Sequence, residues 1–136
     1  MSSLYGIDAS EIPAIWPAIV GLVAAGCEDG NSTPDDVLEA LCAKCAQLVV
    51  SVSDDGIEGV LVTELVTQKS GRLICNIWVV AGKNMDGWFH YLPELEGWAR
   101  SKGCGAIGIS SGRPGWARVL KPHGYGVTKV VLEKEL

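Results

Sequence analysis

The sequence predicts a mixed α+β domain, with a central, mostly antiparallel sheet and helices packed on both faces. Three observations predict it. Two stretches near the start, residues 8–26 and 33–46, repeat apolar side chains at helical spacing. Three β-rich runs follow, QLVVSVS, GVLVTELVT and LICNIWVVA, separated by the turn sequences DDGIEG and QKSGR. From Leu73 to Leu136 the order is strand, polar turn, helix, short strand, short helix and closing strand. The middle β run is almost continuously apolar, which calls for cover on both of its faces.

The chain has 136 residues, 48% of them apolar and 20% charged. That suits one compact domain over residues 1–136, and it excludes a disordered chain. The net charge of −5 argues against a general binder of phosphate backbones. No stretch is expected to reach the roughly 20 apolar residues of a membrane span. The start, MSSLYGIDASE, carries early acidic residues and no basic region, so no secretory signal is expected. The five cysteines, Cys27, Cys42, Cys45, Cys75 and Cys104, are odd in number. They fit reduced thiols and a cytoplasmic setting.

In the first helical region Ile12, Ile15, Trp16, Ile19, Leu22 and Val23 recur at helical spacing. Pro17 predicts a break, with a short turn at 10–15 and a helix at about 16–25. The second helix has Thr33 as N-cap, Pro34 at its first position, and Asp35 and Asp36 against the helix dipole. Its apolar face takes Val37, Leu38, Leu41, Cys42, Cys45 and Leu48. Cys42 and Cys45 form a CxxC. A redox pair or half of a zinc site is one reading. No second Cys/His pair stands at suitable spacing, and both cysteines fall on the apolar face, so packing is the preferred reading.

Glu64 is the one interior charge of the middle β run. It reads as a residue that faces the solvated side or pairs with a neighbour, or, more sharply, as a general base. The turn after Val80, Ala81-Gly82-Lys83-Asn84-Met85-Asp86-Gly87, joins a buried strand to a helix. Such turns can hold anionic groups at a helix N-terminus, and Lys83 adds positive charge. The plainer reading makes Asp86 a cap and Gly82 a turn residue. Neither a GxGxxG nor a P-loop is present. The next helix is expected at about 87–102, with Pro93 leaving 86–92 as a loose turn. Five tryptophans stand among the aromatics. Of these Trp88, Trp98 and Trp116 gather near this turn, as packing or as a protein-contact surface.

The segments ELEGWARSKGCGAIGIS and GWARVLKPHGYGVTKVVLEKEL resemble the C-terminal half of a GNAT-fold acetyltransferase domain. Glu96, Ala99 and Gly103 match the family's helix end, and Gly124-Tyr125 matches its Gly-aromatic pair. The upstream order of two helices and an antiparallel meander agrees, with SSLYGID as the first strand. The resemblance implies a GNAT-like fold and an acetyl-CoA site along Val79, Val80, Ala81, Gly82, Lys83, Asn84, Asp86 and Gly87. For an enzyme it implies Glu64 as a base acting through water. Two departures stand out. GKNMDGW does not fit the family's Q/R-x-x-G-x-G/A turn. The position of the family's tyrosine acid, five residues before Tyr125, is Leu120, with His123 nearby as the alternative acid. The size and the missing turn motif resemble small GNAT-like bacteriophage proteins. The leading expectation is a non-catalytic, virion-associated protein that binds other proteins, phage structural proteins or itself, with no nucleic acid and no metal. The alternative is an acetyl-CoA-dependent N-acetyltransferase.

Overall fold

The computed structural model describes residues 3–28, 32–82, 89–109, 116–128 and 132–136. Strand β1 is Ser3–Ile7, β2 Gln47–Ser53, β3 Gly56–Thr67, β4 Leu73–Gly82 and β5 Ala106–Ile109. Helix α1 is Ile12–Cys27, α2 Pro34–Cys42, α3 Leu92–Ser101 and α4 Trp116–Leu120. Short 3₁₀ turns stand at Ala9–Glu11 and Lys121–His123. The five strands lie in sequence order in one sheet. The first three pairings are antiparallel. The last, β4 with β5, is parallel, because α3 carries the chain back across the sheet.

Helices cover both faces. On one face Ile12, Ile19, Val23, Val37 and Leu41 from α1 and α2 pack on Leu48, Val50, Val60, Val62, Val79 and Ala81. On the other, Leu92 and Leu95 of α3 and Leu120 of α4 pack on Leu61 and Ile77, with Val49, Val80, Phe89, Trp98 and Tyr125 around them. This is why Val60, Leu61, Val62 and Thr63 are all buried in the middle strand. Helix α1 lies close to β4, since a Cβ on Gly26 would come within 2.6 Å of Val79 Cγ1.

Four expectations from the sequence are corrected. Helix α1 does not wait for Pro17 but runs unbroken from Ile12 with the proline inside it. A proline inside a helix costs about 3 kcal/mol. Each buried aliphatic side chain returns about 1.5–3 kcal/mol, and Ile12 is buried while Ile15 and Trp16 pack on the core. Second, Ala9–Cys27 forms 19 residues with a mean hydropathy of 1.5, long and apolar enough to cross a membrane by composition. Here Ile12, Ile19, Val23 and Cys27 of that stretch are buried against the sheet and α2.

Third, the CxxC is not core. Cys42 and Cys45 are exposed, whereas Cys27 and Cys75 are buried. The inward stripe of α2 is Val37 and Leu41. Cys42 stands about 100° round from Leu41, and the helix ends before Cys45 could continue the stripe. Fourth, the closing strand does not form among the described residues. Val127, Leu132 and Leu136 are instead 67%, 90% and 116% exposed.

Candidate functional site

The site is built around β4, because this strand changes its own pattern midway. Thr63 pairs with Ile77, but its neighbour Val62 pairs with Val79. Trp78 is therefore an extra residue, a β-bulge. Its indole Nε1 donates to Ser32 Oγ at 3.0 Å, and the ring packs with the α1 and α2 layer. Ile77 faces the α3 layer, and Val79 faces α1.

The bulge also marks where β4 and β5 part. The parallel pairing runs from Ile74 opposite Ala106 to Ile77 opposite Ile109. Beyond it β4 continues through Trp78–Gly82, paired with β3 on one side. No described strand pairs with its other side. This outer edge runs to Gly82, the last described residue before position 89.

A shallow hollow lies beside that edge, on the α3 face. Leu4, Val49, Ser51, Gly59, Leu61, Val80, Gly82 and Tyr91 are among its walls. Its volume is about 40 Å³, room for a few waters. Gly59 and Gly82 pair across β3 and β4. A Cβ on Gly82 would meet Glu58 O and Gly59 Cα, each at 2.6 Å. The missing side chains let the strands close up and leave the floor low.

The predicted site residues separate. Val80 and Gly82 line the hollow. Val79 and Ala81 are buried in the α1 layer, and Ala81 also reaches the hollow's rim. Lys83, Asn84, Asp86 and Gly87 lie outside the described residues, as does Trp88. Glu64 pairs with Asn76, which donates from Nδ2 to Glu64 Oε1 at 2.9 Å. Strand alternation puts that pair on the α1 and α2 face, away from the hollow. His123 is exposed and stacks on Phe89, with centroids 5.3 Å apart and planes 22° apart. Phe89 in turn meets Trp116 edge-on at 6.3 Å. Glu64 and His123 thus stand on opposite faces of the sheet.

The motif residues behave differently. Tyr125 donates its hydroxyl to Glu96 Oε2 at 2.7 Å, so the helix-end motif and the Gly-aromatic pair touch. Gly124, at φ 88°, allows the turn that brings Tyr125 back. Burial pushes the Tyr125 phenol well above its ordinary value, and the Glu96 bond adds to this. Under the same layer burial pushes the Cys75 thiol up to about 11. The neighbouring Cys104 adds to this, and a Thr63 hydrogen bond opposes it.

Sequence reasoning missed Tyr91, Leu4 and Ser51 as hollow residues. Tyr91 reads as an ordinary apolar-face residue of α3, but it is the N-cap, and α3 begins only at Leu92. Leu4 and Ser51 become neighbours of Gly59 only through the registers of β1, β2 and β3. Strand spacing alone cannot show such a register.

A scan against protein-family models finds no match, and neither does a search of curated proteins. Solved structures do match. An aminoglycoside acetyltransferase from an uncultured soil metagenomic sample is 12% identical with a TM-score of 0.70, over 99% of this chain and 96% of that one. A GNAT family acetyltransferase from Staphylococcus aureus is 14% identical with a TM-score of 0.67, over 99% and 98%. A ribosomal-protein-alanine N-acetyltransferase from Brucella melitensis is 7% identical with a TM-score of 0.72, over 98% and 99%. These likenesses span the whole chain, and the protein has the GNAT fold.

Proposed function

We propose that the outer edge of β4 binds an acyl-CoA and that the chain is an acetyl-CoA-dependent N-acetyltransferase. The observation that carries this reading is the bulged stretch Trp78–Gly82, whose outer edge faces no described strand and borders a hollow. The fit is chemical. A strand edge offers alternating N–H and C=O groups, which suit the amide-bearing arm of an acyl-CoA. When bound, acetyl-CoA supplies an acetyl group activated as a thioester. The β4 backbone would orient it, with an N–H of the outer edge as donor to the acyl oxygen. The hollow beside Val80, with Ser51 and Tyr91 on its walls, takes the acceptor amine. Leu120 is buried and apolar, so the rate rests on positioning, which can supply about 7–11 kcal/mol of a barrier.

A second reading follows from a different observation. The exposed Val127, Leu132 and Leu136 favour a protein-association role, with another protein, a phage structural protein or a second copy as partner. One experiment separates the two readings: calorimetric titration with acetyl-CoA alongside light scattering of the free chain. The first reading expects micromolar binding, one acetyl-CoA per chain, by a monomeric protein. No heat of binding, together with a higher-order assembly, would overturn it in favour of the second.

A further inference from the structure

We propose that Cys42 and Cys45 form a reversible intrachain disulfide, making the end of α2 a redox-modified site. Two of the five cysteines are exposed, and they are these two. Packing therefore does not account for them. Nor does the β4 site, since α2 lies on the opposite face of the sheet.

The turn that holds them is tightly wound. Lys44 N–H donates to Leu41 O at 3.2 Å, and Cys45 N–H donates to Ala40 O at 2.9 Å. That pair of bonds is the Schellman arrangement, which folds the chain back over the helix end. Lys44 sits between the cysteines at φ 63°, the left-handed position usually given to glycine. Cys42 closes the helix, and Cys45 stands three residues on, just past the left-handed Lys44. A disulfide would hold their Cβ atoms roughly 3.5–4.5 Å apart, a closure that falls to this folded-back turn and not to helical spacing. The Cys45 thiol already turns inward over the loop, donating to Ala43 O at 3.8 Å.

A metal is the weaker occupant. Tetrahedral zinc needs more ligands than two thiolates, and no group of three or more metal-binding side chains exists among the described residues. Selectivity over Cys27 and Cys75 follows from burial, which shields them and pushes both thiols up, so the attacking thiolate is scarce there.

The chemistry balances with a low-molecular-weight disulfide such as glutathione disulfide as oxidant. One cysteine thiolate attacks a glutathione sulfur and releases the first glutathione thiolate. The second cysteine thiolate attacks the resulting mixed disulfide at the protein sulfur and releases the other. The two cysteines are oxidised, one glutathione disulfide is reduced, and both protons leave on the glutathione thiols.

The test equilibrates the folded full-length chain in glutathione buffers of increasing oxidised fraction, then quenches with acid and alkylates. Lys44 lies between the two cysteines, so trypsin with a glutamate-specific protease yields Ala40–Lys44 and Cys45–Glu58 as separate peptides. The expected result is that these two peptides become joined as the buffer becomes oxidising and separate again with dithiothreitol. Cys27 and Cys75 stay reduced throughout. In Cys45→Ser, whose folding is checked by circular dichroism, Cys42 should instead keep one bound glutathione. Alkylation of Cys42 and Cys45 as free thiols in the most oxidising buffer would overturn the proposal. So would stable single glutathione adducts on the unaltered chain, links only between chains, or stoichiometric zinc that blocks alkylation.

Discussion

The Tyr125 hydroxyl is held by the Glu96 carboxylate, and both residues are half-buried. Burial first, and the Glu96 bond second, favour the neutral phenol in the folded chain. A folded value above the unfolded one, near 10, means a contribution fully present below about pH 10. It is lost as the pH rises beyond that. Cys75, pushed up to about 11 from 9.0, adds to the same alkaline limb from a lower starting point. Tyr125→Phe should therefore lower stability by about 1 kcal/mol at neutral pH through the lost bond. It should also make the alkaline decline shallower without abolishing it, because Cys75 remains. Urea midpoints measured from pH 7 to pH 11 check both effects. An unchanged alkaline slope would mean that Tyr125 does not carry it.

Helix α2 shows how one element can be favoured at one end and strained at the other. At its start the Thr33 hydroxyl accepts from Asp36 N–H at 3.2 Å, and the Asp36 carboxylate accepts from Thr33 N–H at 2.9 Å. At its end Lys44 occupies the left-handed position of the Schellman turn. Thr33→Ala should cost about 1 kcal/mol, and Lys44→Gly should stabilise by up to about 1 kcal/mol. Thermal melts of the two variants should move in opposite directions. The start of this helix was legible in the residues, because a cap, a proline and two acids act within one turn. Its end was not, because nothing in Cys-Ala-Lys-Cys announces a left-handed lysine. The same limit hid the solvent exposure of both cysteines. The closing strand does not form among the described residues. Alternation in VTKVVLEKEL states what a strand would bury, but it fixes neither the partner nor the register. The helix-end and Gly-aromatic motifs fared better, since Glu96 and Tyr125 do meet.

At the scale of the whole molecule, β3 and β4 are shared by two hydrophobic layers. Neither layer can open without exposing the strands that the other depends on. Amide exchange should therefore be slowest at Val60 and Val62, in the strand paired on both sides. It should be faster in β1 and β5, each paired on one side only among the described strands. Exchange read by mass spectrometry checks this order, and a β1 as slow as β3 would contradict it. The fold was legible from the order of elements, but the hollow was not, because it depends on register across four strands. Trp78 matters here in one more way. A strand normally assigns its side chains to the two faces by odd and even count. The extra residue resets that count halfway along β4. Without the bulge, regular alternation through Trp78 would put Ile77 and Val79 on the same face, placing Val79 over α3 or Ile77 over α1. Loss of Trp78 itself would leave Ile77 and Val79 as neighbours on their present faces and in register with Thr63 and Val62, so a single deletion at this point is one that the two layers can absorb.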